Sequence, residues 1–531
     1  MEWLPLTNLS RAAEKEPKMW QHVILLIIIV AAVTVIYANV TRAYFCAYDD
    51  FDNLHQTVFE DTYQPALILT TSHFNSYKYR PGHRLTNLLT NFLADGHPAV
   101  FRIRNLGFHL VNAMLVYALG WQLFRSARVS GAGALLFGLH PLANQTVIGA
   151  IWTLTVAHTG FLLALVMFVA STRAKRFWSL WLIGALLSAS LSLFTYDSAI
   201  VVFGLMLIYW LLFVMRPLQP IRTPYVALFI TVSSMFLGLY FVLRRLFVPS
   251  GWEQVTAGVP SPAIIGKNVV MYLTALVNPV DLVLANEWFD TPLPSEITLN
   301  KSSLVAVGVL GMFIVSSVGI YVMRRLRDDS QASQKIDWAA ALFLVFGIGA
   351  PLLPVLVFSS HPSETYLYLP VAFYTLLLVY LLAKLVRQTR GPTGYALYVP
   401  IVFLVVVFSA ATWVRNQRVS ECGQTVHRIL YSLPDKVLRN GSWTLAFANV
   451  PGEKATRRYG FYGFRGVDTI GHGQAGDPAI THALQLVYRN KSLSGKVVKA
   501  EELSAMCSKN SASRNIGAFV HWDGRIETCL P

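Results

Sequence analysis

Apolar residues run through this chain in blocks of about twenty, the length of a bilayer crossing, divided by short polar connections. The blocks predict about eleven transmembrane helices, near residues 22–40, 106–124, 129–144, 153–171, 177–195, 198–215, 225–243, 303–323, 338–358, 367–386 and 396–413. The third has a Gly-rich start and His140–Pro141 near its end, which predicts a bend, because proline removes a backbone donor. Two stretches are amphipathic instead, Arg84 to Phe92 and Ile264 to Val277, and are expected to lie along the outer interface. Beyond residue 413 the pattern becomes that of a small α/β unit. Thr444 to Val450 reads as a strand, and Ala479 to Tyr488 as a helix started by Asp477–Pro478. Ala518 to Trp522 and Arg525 to Cys529 read as a hairpin closed by a type I′ turn at Asp523–Gly524.

Composition supports a membrane protein. Of 531 residues, 54% are hydrophobic and 13% charged, where a soluble domain carries about a quarter charged residues. The chain has 43 Lys+Arg against 28 Asp+Glu, a formal net charge of +15. These cations separate hydrophobic spans, which is how topology is written, so nucleic acid is excluded as a partner. A cytoplasmic N-terminus (1–21) makes every second connection basic: Arg125 and Arg128; Arg173, Lys175 and Arg176; Arg216 and Arg222; Arg324, Arg325, Arg327 and Lys335; Lys384, Arg387 and Arg390. The first span is too long for a cleaved signal and lacks a small-residue cleavage site. An odd span count gives an N-in/C-out polytopic α-helical protein: a transmembrane domain over 22–413 with outside loops 41–105 and 244–302, then an extracytoplasmic α/β domain over 414–531. That tail holds 16 Lys+Arg against 9 Asp+Glu, which suits an acceptor-selecting cover or contact with anionic lipid. None of the four cysteines forms a Cys-x-x-Cys pair, so neither a zinc site nor a thioredoxin-type centre is expected. Cys507 and Cys529 are candidates to pair in the exported tail, with Cys422 a third.

The candidate chemistry lies on the outside. Tyr48-Asp49-Asp50-Phe51-Asp52 directly follows the first span, and adjacent carboxylates repel, which suits one of them to accept a proton; they can equally bind a cation or be solvated. Tyr77-Lys78-Tyr79-Arg80-Pro81-Gly82-His83-Arg84 clusters cations with aromatics, a combination that fits a phosphate and a sugar face and also anchors proteins at interfaces. Arg244 and Arg245 end the seventh span on the side where positive charge is unexpected, and can hold a lipid phosphate or snorkel to headgroups. His361, Glu364, Tyr366 and Tyr368 precede the tenth span, with Glu364 as a second acid or a helix cap. His140 is read chiefly as a structural histidine and Asp197 as a helix cap.

The order of these landmarks resembles the GT-C superfamily of membrane glycosyltransferases, and within it the protein O-mannosyltransferase-like branch whose members often carry tetratricopeptide repeats. The residues that carry the likeness are Asp49-Asp50, Tyr79-Arg80-Pro81, Phe108-His109-Leu110-Val111-Asn112, Leu139-His140-Pro141, Tyr196-Asp197-Ser198-Ala199 and Glu364-Thr365-Tyr366-Leu367-Tyr368-Leu369-Pro370, across residues 20 to 415. The chain departs from that branch at Gln145, Tyr196–Asp197 and Thr365, and its tail has no 34-residue period. The resemblance implies inverting transfer of a sugar from a polyprenyl- or dolichyl-phosphate donor to a protein or glycan hydroxyl, on the extracytoplasmic or lumenal side of a plasma, inner or reticulum membrane. Asp49 or Asp50 would be the catalytic base. Tyr79, Arg80, His83, His140, Arg244, Arg245, Glu364 and Tyr366 would hold donor phosphate and substrate. No cofactor is required, although Mg²⁺ or Mn²⁺ on Asp49 and Asp50 is an alternative. Two other roles stay open: a polymerase or ligase of lipid-linked glycans, and a non-catalytic scaffold built on the same body.

Overall fold

The structure is a computed structural model that describes residues 17–46, 48–72, 78–215, 223–248, 262–277, 338–356, 364–388, 399–433, 438–439, 441–448, 479–509, 515–520 and 526–529. Several expectations fall outside this set: the span near 303–323, the basic residues Arg216, Arg222, Arg324, Arg325, Arg327, Lys335 and Arg390, His361, the Asp477–Pro478 cap and the Asp523–Gly524 turn. So do the side chains of Asp49, Arg387, Cys507 and Cys529.

In chain order the helices are α1 (Met19–Tyr37), α2 (Tyr48–Gln56), α3 (Leu67–Thr70), α4 (Pro81–Ala94), α5 (Pro98–Phe124), α6 (Ala127–Leu139), α7 (Pro141–Ile148), α8 (Leu154–Arg173), α9 (Trp178–Thr195), α10 (Val201–Phe213) and α11 (Thr223–Phe247), then α12 (Pro262–Val277), α13 (Trp338–Gly349), α14 (Tyr368–Gln388), α15 (Val399–Tyr431), α16 (Ala479–Tyr488) and α17 (Ala500–Lys509). Among the described residues, seven helices are long and apolar enough to cross a membrane, and four shorter apolar helices accompany them. The shortfall from eleven has a local cause at the third block. Proline breaks it, so α6 stops at Leu139, and His140 Nδ1 accepts from the Leu142 amide (3.2 Å) to cap α7. The eleventh block grows instead. α15 runs unbroken from residue 399 to 431, so the 413/414 boundary falls inside one helix.

Small residues let the spans approach one another. A Cβ added at Gly120 of α5 or Gly133 of α6 would lie 2.8 Å from the same Leu376 methyl of α14, the close backbone packing that membrane helices use where burial of apolar surface drives nothing. Exposed Leu180, Leu187, Leu191, Ile230 and Val402 form the outer surface of α9, α11 and α15, as expected of side chains that face lipid.

The tail forms a four-stranded sheet ordered β2-β1-β3-β4, with β1 (Thr444–Ala448), β2 (Ser494–Val497), β3 (Asn515–Val520) and β4 (Ile526–Cys529). β1 pairs parallel with β2 and β3, while β3 and β4 are antiparallel. The predicted hairpin is present with a different register. Val520 pairs with Ile526, whereas a two-residue turn at Asp523–Gly524 would set it opposite Glu527.

The tail does not bury its core alone. Leu445, Phe447, Ile480, Leu484 and Ile516 pack in one cluster with Phe45, Phe51 and Leu54 beside the first span and Phe101 of α5. A disulfide fastens the same junction, joining Cys46 to Cys422 with Cα atoms 5.7 Å apart. This corrects the expectation that Cys507, Cys529 and Cys422 were the cysteines to choose among, because Cys46 lies 376 residues from its partner and spacing carries no sign of it. Gly423 lets α15 come this close, since a Cβ there would stand 2.6 Å from the Tyr44 carbonyl oxygen.

Candidate functional site

Two groups of sequence-selected residues occupy different places. The first surrounds the backbone of residues 43–50. Arg102 on α5 is buried and donates to the carbonyls of Ala43 (3.0 Å), Tyr44 (2.8 Å) and Ile148. Asp50, also buried, accepts the Ile151 amide on one oxygen (3.2 Å) and the Cys46 amide on the other (3.4 Å). Its carboxylate fixes two backbone segments to each other. His83 lies beside this frame, with Nδ1 2.7 Å from Thr153 Oγ1 and Nε2 2.8 Å from Asn53 Oδ1. Burial, and then the positive charges of Arg80, Arg104, Lys78 and Arg84, hold its imidazole well below the usual histidine range. Neutral His83 is therefore a hydrogen-bonding hub, joined through Asn87 to Arg104, which also donates to the Ala150 and Trp152 carbonyls.

The second group contains Arg80, and it is the more open of the two. α4 begins at Pro81, where the missing amide costs nothing, and this sets Arg80 at its N-cap. Gly82 brings the helix onto the end of α9, where a Cβ would meet Thr195 Oγ1 at 2.4 Å. The Arg80 guanidinium lies 4.5 Å from the centre of the Tyr196 ring, and its Nε donates to Asp197 Oδ1 at 2.6 Å. Burial works against its charge, but the Asp197 carboxylate and then the Tyr196 oxygen outweigh that and raise its pKa above the ordinary arginine value. The Arg80 and Asp197 side chains keep 17% and 23% of their surface. No described residue engages the two Nη nitrogens of Arg80 or the second oxygen of Asp197. Nearby, Tyr240 of α11 is buried, its hydroxyl lacks a hydrogen-bond partner among the described residues, and the charges of Asp197, Arg244 and Arg80 act on it. Tyr79 packs against Tyr240 (6.2 Å between centroids) and stacks on Phe247, and Tyr366 is close enough to act on Arg80.

The structure thus brings Tyr79, Arg80, Arg244 and Tyr366 together, and adds Asp197, Tyr196 and Tyr240. Asp197 is not the cap expected from sequence: Tyr196 holds that position and Asp197 pairs with Arg80. Arg245 is exposed on the last turn of α11. Glu364 and His140 lie elsewhere, in a buried polar knot. Glu364 Oε2 accepts from Arg415 Nη2 at 2.5 Å, and Arg415 also donates to the Pro141 carbonyl beside His140. Arg84 is likewise enclosed in an ion pair with Asp61, at the end of a π-helical turn over Thr57–Asp61. Among the described residues, no group of three or more His, Cys, Asp or Glu is arranged to hold a metal ion.

Sequence reasoning missed Arg102, Arg104 and Arg415. The first two carry a usable signal, being cations at the outer end of an apolar block, as Arg244 and Arg245 are. Arg415 has the same position, just past the outer end of the eleventh block, but nothing in the sequence marks its partner Glu364, 51 residues away.

No protein-family model and no curated protein matches the sequence. The fold does match solved structures. It is similar to the archaeal oligosaccharyltransferase AglB of Archaeoglobus fulgidus, solved with an inhibitory peptide and a dolichol-phosphate, at a TM-score of 0.50 and 11% identity, covering 92% of this chain and 70% of that one. The apo oligosaccharyltransferase of the same organism gives 0.49 at 11% identity over 90% of this chain, which spans 64% of that protein's length. ArnT of Cupriavidus metallidurans bound to undecaprenyl phosphate gives 0.41 at 13% identity, over 94% and 93% of the two chains. At these identities the likeness is one of fold alone, a polytopic helical membrane body.

Proposed function

We propose that this protein is a membrane glycosyltransferase that moves a sugar from a lipid-phosphate-linked donor to a protein or glycan hydroxyl outside the cytoplasm, in the manner of the O-mannosyltransferase-like branch it resembles. One observation carries the reading. A half-buried arginine stacks on a tyrosine ring, is braced at Nε by a carboxylate, and keeps both Nη nitrogens unpartnered among the described residues. Two parallel N–H donors in a partly dry setting match two oxygens of a phosphate. The Tyr240 hydroxyl and Arg244 add a donor and a second charge on one side.

In this reading Arg80 and Arg244 stabilise charge that develops on the departing lipid phosphate, and the aromatic surface of Tyr196 and Tyr366 lines the sugar side. Of the acidic pair, Asp50 is occupied by two backbone amides, so Asp49 is our candidate for the base that removes the acceptor proton. The dolichol-phosphate bound to the similar oligosaccharyltransferase supports a lipid-phosphate ligand. The Cys46–Cys422 disulfide supports the sidedness, because both cysteines fall on the face opposite the basic connections and such bonds persist in oxidising compartments.

The test is transfer from a polyprenyl-phosphate sugar by full-length protein in lipid nanodiscs. Arg80→Gln removes two charge-assisted hydrogen bonds, together about 3–4 kcal/mol, and should lower turnover by a factor of roughly 10²–10³. Asp49→Asn should abolish transfer while lipid-phosphate binding persists. Unchanged turnover in Arg80→Gln would remove the phosphate site, and absence of transfer by the wild type would remove the function. A non-catalytic scaffold is the second reading, favoured by the structural use of Asp50. It is supported if the wild type binds lipid phosphate and never turns it over.

A further inference from the structure

We infer that Asp197 is a product-release residue: it lowers the affinity of the Arg80 site for the lipid phosphomonoester that transfer generates more than its affinity for the phosphodiester donor. This rests on the proposed transferase reading and names a task within the same site.

The geometry on one guanidinium is the basis. Asp197 holds the Nε edge of Arg80 at 2.6 Å and keeps its second oxygen without a described partner, while the Nη edge is unoccupied by any described residue. An anion on the Nη edge shares that rigid, planar group with Asp197, so the two negative centres stand about 5–6 Å apart. Arg80 is held in place between them, because the Tyr196 ring lies beneath the guanidinium and the Gly82–Thr195 contact fixes α4 to α9.

The reaction changes the charge of exactly the ligand that Asp197 faces. Before transfer, the phosphate is esterified to both lipid and sugar and carries one negative charge. In transfer the acceptor oxygen forms a bond to the anomeric carbon, and the bond from that carbon to the phosphate oxygen breaks with its electron pair staying on phosphate. The acceptor proton passes to the base. The remaining lipid phosphate is a monoester, whose charge at neutral pH is about −1.5 to −2 because its second pKa is about 6. Arg80 and Arg244 attract both ligands. Asp197 opposes both, and at an effective dielectric of about 20 and this separation the monoester's added charge costs it roughly ten- to a hundredfold more affinity than the diester loses, relative to a neutral residue. A site of arginines alone would bind its own product hardest.

The experiment measures binding of two short-chain probes, a polyprenyl phosphate and its methyl diester, to full-length wild type, Asp197→Asn and Asp197→Ser in nanodiscs at pH 7.5 and pH 5.0. Asparagine or serine at 197 should tighten binding of both probes at pH 7.5, and that of the monoester roughly ten- to a hundredfold more than that of the diester. The difference between probes should shrink at pH 5.0, where the monoester holds one charge. Turnover should show correspondingly stronger inhibition by added lipid phosphate. Equal effects on both probes, or weaker binding of both in either variant, overturns the inference while leaving the transferase reading in place. Failure of the wild type to bind either ester removes both.

Discussion

Acidification should loosen the tail from the membrane body, through one histidine pair. His55 of α2 stacks on His482 of α16, with ring centroids 4.0 Å apart and an interplanar angle of 22°. His55 Nε2 lies 2.7 Å from Gln485 Oε1, and His482 Nδ1 lies 2.7 Å from Asp52 Oδ1. Burial first, and then the neighbouring His482, push the His55 pKa down to about 4; Lys491 adds to this, while Gln485 and Asp52 oppose it. The sign follows from the lowered value. His55 in the docked state refuses a proton that a free histidine would take below about 6.5, so its contribution to docking is complete above pH 6.5 and is lost as pH falls from there toward 4. A shift of that size would be worth about 3 kcal/mol for an enclosed group. His55 is only partly buried, and solvent screening reduces this to about 1–2 kcal/mol. Hydrogen exchange in α16 reads it directly. After correction for intrinsic rates, amides over 480–488 should open about 5- to 30-fold more often at pH 4.5 than at pH 7.5. His55→Leu, which keeps volume and removes the titration, should flatten that ratio. A variant that retained the full pH dependence would show that another group controls docking, and the reasoning from the stacked pair would be wrong.

Three further outcomes follow from the packing. Glu364→Gln leaves the Arg415 guanidinium buried without its counter-charge and should destabilise the fold by about 3–5 kcal/mol, whereas the double change Glu364→Leu with Arg415→Met should recover most of that loss; thermal unfolding of the detergent-solubilised proteins checks it. Cys46 and Cys422 should resist maleimide labelling until a reductant is added, and Cys46→Ser should lower stability by about 2–4 kcal/mol, read as the same midpoint drop in Cys422→Ser. Gly423→Val should prevent α15 from seating on Tyr44, because the nearest atoms are backbone and cannot rotate away; its chromatographic profile should match that of the reduced, opened protein rather than the wild type.

Much of the molecule was legible in its sequence because span length and cation placement are properties of local composition. Apolar blocks located α1, α5, α8, α9, α11, α14 and α15, and His140–Pro141 located the break between α6 and α7. Tyr79 and Arg80 were singled out as a cation–aromatic cluster in an outside loop, Arg244 as a cation at an outer helix end and Tyr366 in the connection before the tenth span, and the fold places them near one another. What sequence could not supply is pairing. Whether Asp50 serves as a base or as a brace depends on Ile151, about a hundred residues away; whether Asp197 caps a helix or pairs with an arginine depends on Arg80, 117 residues upstream. The tail read as a separate unit because its strands and helices are patterned locally, yet its core is completed by Phe45, Phe51 and Phe101. Local pattern determines which segments become helices or strands, since backbone hydrogen bonds and burial of a face act over a few residues. Which charges meet, and which are left open to a ligand, is decided only when distant helices pack.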